Sequence, residues 1–306
     1  MNGLGNNLRF FYSAVTLSWG FTVRYREVSA AQPSYILPPP TTVVGAFGRS
    51  FGKLLGLLDA PSKDPKDREH KEGYVISRAM KIFLESTVAA SAGIIGTGGL
   101  VEHQELSKIH ASIYKGSTEL GKIKAEPFSM KFYKESLTRI FPAQAVGASY
   151  GPGIRIYLSW VLDIDKLINK FKERQILLKE EDVDSVAPIA AHGLTRIGSK
   201  EGIVAHEPEL TGYDKNPEII QDGGKVRTIQ YVQSECVDPE EAVPLVSLPS
   251  IDYTLKQYYV PSATASNSFL IPFSSSASGA KWMRLKSPCR AYSPKNHRIE
   301  FTSVGL

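Results

Sequence analysis

From Phe11 to Arg26 apolar and polar residues alternate along the chain. Phe11, Val15, Leu17, Trp19, Phe21, Val23 and Tyr25 fall on one side of an extended backbone. Tyr12, Thr16, Ser18, Thr22, Arg24 and Arg26 fall on the other. A period of two over this length predicts a long β-strand with one buried face and one polar face that ends in two arginines. Ile154 to Asp163 repeats the pattern, with Ile154, Ile156, Leu158, Trp160 and Leu162 on one face and Arg155, Tyr157 and Ser159 on the other. The period then changes. Leu167, Ile168, Phe171 and Leu178 form a helical stripe with Lys166, Lys170 and Arg174 outside it, which predicts an amphipathic helix over Asp165 to Leu178.

The segment Tyr35 to Phe51, YILPPPTTVVGAFGRSF, carries the most local information. Pro38 to Pro40 cannot enter a helix interior and hold Leu37 extended. Thr41 or Thr42 is then expected to cap a helix running from about Thr42 to Leu58. Gly45, Gly48, Gly52 and Gly56 recur on one face of that helix. Each gives up about 1 kcal/mol of helix propensity against alanine. The expected return is close approach of another backbone, a sheet or a nucleic-acid strand; tight packing of helix on sheet would alone explain the stripe as well.

Elsewhere the pattern is coarser. Ala60 to Gly73, APSKDPKDREHKEG, reads as an exposed loop. Helices are expected near Tyr74 to Ala90 and Glu102 to Lys115, with a glycine-rich break at Gly93 to Gly99. Strands at Phe128 to Ile140 and Ile154 to Asp163 flank a long loop, Phe141 to Gly153. Gly193 to Ala205 reads as a hairpin turning at Gly198 to Gly202. The first 205 residues therefore read β-α-insert-β-β-α-β, the split βαβ or ferredoxin-like order, with the insertion around residues 60–150. From His206 to Leu306 short runs such as Val226 to Val232 and Phe269 to Phe273 predict a β-rich extension without a helix. The fold class expected is α+β.

The 306 residues suit one large or two smaller domains, and 42% hydrophobic with 22% charged content suits a protein with a real core. A net charge of +5 favours a polyanionic partner. Cys236 and Cys289 exclude a disulfide framework and a cysteine-rich zinc site, and fit a reducing cytosol. No apolar run reaches the length of a membrane span, and the N-terminus lacks the pattern of a signal peptide, so a cytoplasmic location without membrane contact is expected.

Catalytic motifs are weak. Gly147-Ala148-Ser149-Tyr150-Gly151 matches G-x-S-x-G, but that motif needs a strand before it and a helix after it, and here Pro152, Gly153 and a strand follow. Gly93 to Gly99 lacks the G-K-[ST] ending of a phosphate loop. Of six histidines none forms H-E-x-x-H; His103 and His110 share a face of the expected helix, with no carboxylate completing a ligand set. A lone histidine can serve metal-independent RNA cleavage, but none has a partner visible in the sequence. No catalytic residue, metal or cofactor is expected. The positive chemistry is basic and aromatic. Arg24, Arg26, Arg155 and Tyr157 would share one side of the sheet, where arginine meets phosphate and tyrosine stacks on bases. Arg196 and Lys200 flank the glycine turn, and Arg49 and Lys53 lie on the glycine-striped helix. A solvated sheet face with scattered cations would look the same.

Tyr35-Ile-Leu-Pro-Pro-Pro-Thr-Thr-Val-Val-Gly-Ala-Phe-Gly48, following Val23-Arg-Tyr-Arg26, resembles the signature of the fifth CRISPR-associated protein, the "Cas-five" family of the RAMP superfamily. Thr195-Arg-Ile-Gly-Ser-Lys-Glu-Gly202 and Phe269-Leu-Ile-Pro-Phe273 are similar to it as well. The style is that of the archaeal type I-A form, with type I-D as another home. The resemblance implies a ferredoxin-like, RRM-related domain with an inserted β-hairpin thumb. It implies a non-catalytic subunit of Cascade that grips the 5′ handle of CRISPR RNA, caps the filament of Cas-seven backbone subunits and contacts the large subunit near target DNA. On this reading Tyr35, Thr41, Thr42, Gly45 and Gly48 join the cations above at the RNA, and Phe141, Gln144 and Tyr150 belong to the thumb. Two other readings stay open: a metal-independent ribonuclease that processes precursor CRISPR RNA, and a hydrolase using Ser149.

Overall fold

A computed structural model describes residues 7–23, 31–57, 68–71, 74–96, 99–109, 143–199, 202–221, 223–266, 269–272, 279–296 and 301–305. The first part of the chain runs β1 (Leu8–Leu17), β2 (Gly20–Phe21), β3 (Ala31–Gln32), α1 (Pro40–Leu54), β4 (Arg68–Lys71), β5 (Tyr74–Ser77), α2 (Arg78–Glu85), β6 (Thr87–Ile95), β7 (Leu100–Ile109), β8 (Ala143–Tyr150), β9 (Arg155–Asp163), α3 (Ile164–Lys172), α4 (Glu180–His192) and β10 (Val204–Asp214). Short strands follow: β11 (Glu218–Ile220), β12 (Lys225–Thr228), β13 (Val232–Gln233), β14 (Val237–Pro239), β15 (Leu245–Pro249), β16 (Leu255–Tyr259), β17 (Ala263–Ser266), β18 (Phe269–Pro272), β19 (Lys281–Leu285), β20 (Arg290–Ser293) and β21 (Ser303–Gly305). The fold is α+β, and its sheets are built mainly from antiparallel pairs.

The central sheet has the order β10-β1-β9-β6, every neighbouring pair antiparallel. In chain order its strands therefore lie fourth, first, third, second. Helices α1 and α2 fall between its first and second strands, and α3 and α4 between its third and fourth. All four helices pack on one face, where Phe11, Phe47, Phe51, Phe83, Trp160 and Phe171 form an apolar core. The expected domain boundary at residue 205/206 falls inside β10, whose pairing with β1 runs from Leu17–Val204 to Phe10–Asp214.

The other face is buried too, which corrects the expected polar surface. The strand expected from Phe11 to Arg26 ends at Leu17, with Gly20 and Phe21 passing to a second sheet beside β8. Phe10, Ala14, Tyr157 and Val161 pack beneath Ile229, Tyr292 and Phe301. Ser91, Ser159 and Ser303 converge on Gln230, all four fully or almost fully buried. Ser91 to Ser303 and Ser159 to Ser303 are both 2.7 Å, and the Gln230 amide donates to the Tyr157 carbonyl at 3.3 Å. A polar residue on a strand needs a hydrogen-bond partner rather than water, and the C-terminal strands supply it.

Other expectations change for local reasons. Thr41 and Thr42 do not cap α1: Pro39 is the cap, Pro40 takes the first helical position, and no side chain caps the end. Proline fits there because that N–H has no helical acceptor to lose. Arg68–Lys71, in the charged stretch, pairs with Tyr74–Ser77, so α2 begins at Arg78 rather than Tyr74. The glycine break expected at Gly93 is strand β6, TVAASAGII, whose small residues let the backbone of Ile229 approach: a Cβ on Gly93 would lie 2.8 Å from that carbonyl oxygen. Glu102 to Ile109, expected in a helix, belong to strand β7, and Ala143 to Tyr150, expected in a loop, form strand β8; the two pair from Val101–Tyr150 to Ile109–Ala143. Helix α4 was not expected at all; its inward residues Val183, Ala187, Ala190 and Ala191 are too small to make a strong stripe. Among the expected elements, β9, the α3 region, the turn at Gly198 and the β-rich C-terminal third are all present. Cys236 and Cys289, expected as separate thiols, form a disulfide, because β14 and β19 pair and bring their Cα atoms to 5.4 Å. No helix among the described residues is long and apolar enough to cross a membrane.

Candidate nucleic-acid interface

The outer face of α1 forms one wall of a cleft of about 920 Å³. Val43, Val44, Phe47 and Phe51 face inward to the core, so Thr42, Gly45, Arg49 and Lys53, at helical spacing, turn to the cleft. The end of α4 and the described residues of the turn that follows it, 193–199 and 202–203, form the other wall. Gly193 permits that approach, since a Cβ there would lie 1.9 Å from the Ser50 hydroxyl. The turn is held by Ile197 N–H to the Gly202 carbonyl at 2.8 Å and Val204 N–H to the Thr195 carbonyl at 3.0 Å. Ser199 N–H ties it to the Thr22 carbonyl at 3.0 Å. Gly198 has φ +69 and backs onto the same carbonyl, so a side chain is excluded twice.

The electrostatics are one-sided. Arg49, Lys53 and Arg196 line the cleft, and among the described residues no carboxylate does. Among the described residues none of the three makes an ion pair. Leu54, Ile189 and Ile203 line the same cleft with 44%, 62% and 59% of their surface exposed. Unpaired cations beside exposed apolar side chains suit a ligand with phosphates and with flat apolar faces.

The glycine stripe divides. Gly45 opens on the cleft, and a Cβ there would meet nothing within 4 Å. Gly48 faces the other way, 3.1 Å from Phe83 and 3.2 Å from Met80 in the same measure, so its small size serves the packing of α2 on α1. Gly56 lies beyond the helix with φ +69 and ends it. Stripe spacing alone could not separate these roles.

The structure gathers Thr42, Gly45, Arg49, Lys53 and Arg196 in this cleft and leaves other expected contacts out of it. Tyr35 is buried in the main core, at 4% exposure. Thr41 is half-buried at the start of α1. Arg155 pairs with Glu207 at 2.5 Å, and Tyr157 is buried against Phe301 with ring centres 5.3 Å apart. These two therefore do not form an open RNA platform. Gln144 and Tyr150 lie on strand β8 rather than on a loop. Arg24, Arg26, Lys200 and Phe141 lie outside the described residues, as do His110 and the strand expected at Phe128 to Ile140. Ser149 is buried within β8, and its hydroxyl donates to the Tyr35 carbonyl at 2.8 Å, so it does not stand on an exposed elbow.

One pairing was invisible in the sequence. His192, at the end of α4, and His206, on β10, have ring centres 5.7 Å apart. Finding it required α4. Among the described residues no group of three or more His, Cys, Asp or Glu could hold a metal ion.

Nearby, Arg9 is almost fully buried and clamps β1 to α4. It donates to Asp184 at 2.7 and 3.0 Å and to Glu180 at 2.5 Å, while Tyr213 of β10 and Lys215 also donate to Asp184. Burial alone would raise the Asp184 pKa; the hydrogen bonds from Arg9, Lys215 and Tyr213 outweigh it and hold the carboxyl below its ordinary value. The network fixes α4, and with it the far wall of the cleft.

No protein-family model matches the chain, and no curated protein matches its sequence. Among solved structures it is similar to one described as the crystal structure of a CRISPR protein from Archaeoglobus fulgidus, at 16% sequence identity and a TM-score of 0.49, over 97% of this chain and 98% of that one.

Proposed function

We propose that this chain is a non-catalytic CRISPR RNA-binding subunit of the Cas-five kind, and that the cleft between α1, the end of α4 and the turn that follows it holds phosphates of the 5′ handle. The observation that carries this reading is the convergence of Arg49, Lys53 and Arg196, with no opposing carboxylate among the described residues, on a cleft that Gly45 lines. Two of the segments that resemble the family, the proline–glycine helix and the Thr195 to Gly202 turn, supply its two walls. The strand order and helix placement of the central sheet support a ferredoxin-like RAMP domain. The paired strands β7 and β8, in place of the Phe141 to Gly153 loop, are the natural candidate for the thumb. As a Cascade subunit the chain would meet a Cas-seven backbone subunit, the large subunit and, through the complex, target DNA.

The test is a salt titration of single-stranded RNA binding. Three neutralised phosphates predict a log–log slope of about −2, at roughly −0.7 for each. Gly45→Leu fills the cleft without touching the core and adds helix propensity, so the variant should melt at or above the parent temperature and lose RNA binding. A flat salt dependence, or a Gly45→Leu protein that binds RNA as well as the parent, rules the cleft out.

A second reading rests on the His192–His206 pair. Two imidazoles at one edge supply the acid and the base that metal-free RNA cleavage needs. Specific cleavage of precursor CRISPR RNA by the pure protein, lost in both His192→Ala and His206→Ala, would favour it over the non-catalytic reading.

A further inference from the structure

The small sheet β12-β19-β14 has β19 at its centre and two unlike faces. Val226, Val237, Met283 and Leu285 turn inward and close an apolar core with Cys236 and Cys289. Alternation sends Trp282 and Arg284 of β19, and Arg227 of β12, to the other face. Register sets Trp282 opposite Arg227, and Arg284 lies two residues further along the same strand. Trp160 is fully buried in the main core, whereas Trp282 keeps 45% of its surface exposed. A ring of this size, half in water and flanked by arginines, has the composition of a recognition surface. The charges around it sort by residue type. Asp238 pairs with Lys286 at 2.7 Å, Glu240 with Lys225 at 2.5 Å and Glu241 with Lys281 at 2.5 Å. Each of these three carboxylates is thus answered by a lysine. The arginines are left over. Among the described residues, the Arg227 side chain reaches only the Ala280 carbonyl, through Nε at 3.4 Å, and that of Arg284 makes no hydrogen bond or ion pair. The Cys236–Cys289 disulfide ties the segment entering β14 to the turn after β19, so the strands that carry these side chains are held firmly.

We propose that this face binds a single-stranded nucleic acid, with a base stacked on Trp282 and phosphates at Arg227 and Arg284. Uncommitted guanidinium groups match phosphate in charge and in the geometry of their donors. The indole offers a flat face that any base can cover, and only an unpaired base is free to cover it. An acidic peptide would satisfy the arginines and leave the ring bare, so the ring decides for a nucleic acid. None of these residues lines the α1 cleft, and the inference therefore stands apart from the function proposed above.

The experiment is a fluorescence-anisotropy titration of labelled oligouridine and oligothymidine with the full chain carrying Gly45→Leu, which fills the α1 cleft. Every Trp282 and Arg284 variant is made in that chain, so the result stands whatever the α1 cleft binds in the parent. Saturable binding is expected, displaced by unlabelled single strand and not by a duplex of like length. Trp282→Leu keeps an apolar side chain without the ring and should weaken binding about tenfold. Trp282→Phe keeps a ring and should recover most of that loss. Arg284→Ala should lower the magnitude of the salt slope by about 0.7. Both side chains are exposed, so these variants should melt close to the chain that carries them. Weakening for both oligonucleotides marks a contact that ignores the sugar; weakening for one alone names RNA or DNA as the occupant. Absence of saturable binding, unchanged affinity in Trp282→Leu, or a Trp282→Phe protein as weak as Trp282→Leu overturns the proposal. Labelled oligoglutamate that binds as tightly as the strands overturns it too, and assigns the face to an acidic protein segment.

Discussion

The central sheet is buried on both faces, but by different chemistry. Under the helices, Trp160 stacks on Phe11 at 4.9 Å and meets Phe83 edge-on at 6.0 Å, in a core almost wholly apolar. Under the C-terminal strands, serines and a glutamine satisfy one another beside Tyr157 and Phe301. The first face gains from removing area from water; the second avoids loss by pairing every polar atom it buries. A strand can therefore alternate apolar and polar residues without showing either side to solvent, and the polar side is then no guide to ligand binding.

The helix face should be the costlier to damage. Trp160→Ala should destabilise by about 3–5 kcal/mol in denaturant unfolding, and a loss under about 1 kcal/mol would place the main core elsewhere. On the other face, Gln230→Ala removes the acceptor on which the serine hydroxyls converge and the donor to the Tyr157 carbonyl, and should cost about 1–3 kcal/mol. Replacing Gln230 with leucine together with Ser91, Ser159 and Ser303 by alanine should recover much of that loss; if the multiple variant is worse than Gln230→Ala, the network is more than mutual satisfaction. Acid should act through the helix-side clamp. Asp184 has a folded pKa below its unfolded value, so its contribution is present above about pH 4 and is lost as pH falls through the lower folded value. Stability should thus decline below about pH 4, and Arg9→Met should flatten that decline; an unchanged acid limb would remove Asp184 from the account. The smallest effect concerns RNA. Arg155→Ala should leave RNA affinity within about twofold of the parent, whereas Arg49→Ala should lower the magnitude of the salt slope by about 0.7. The reverse result would put the interface back on the sheet.

The sequence made legible those elements whose periodicity and burial agree. Strand β9 alternates large apolar residues and was readable throughout, and the Gly198 turn was readable from its glycines. Strand β7, LVEHQELSKI, was not: its Glu, Gln, Leu and Lys favour helix, and pairing with β8 overrides them. Strand β6 and helix α4 are built from small residues, whose burial depends on close partners that spacing does not announce. For the cleft proposed to bind RNA, the residue types on α1 and the turn were legible, but not the side of the helix each takes. Gly45 and Gly48 look alike in sequence, and only the position of Met80 and Phe83 tells them apart. Arg155 and Tyr157 were misplaced because their partners, Glu207 for the one and Phe301 for the other, lie far along the chain.

That distance has a consequence during synthesis. Ser159 and Ser303, hydrogen-bonded in the finished sheet, are separated by 144 positions. At translation rates of about 5–20 residues per second, roughly 7–30 s pass between their emergence. Through that interval Phe10, Ala14, Tyr157 and Val161 lack the cover that Tyr292 and Phe301 give them in the finished fold. Apolar side chains of this face are thus exposed on the growing chain until its last strands arrive, and exposed apolar surface of that kind favours aggregation.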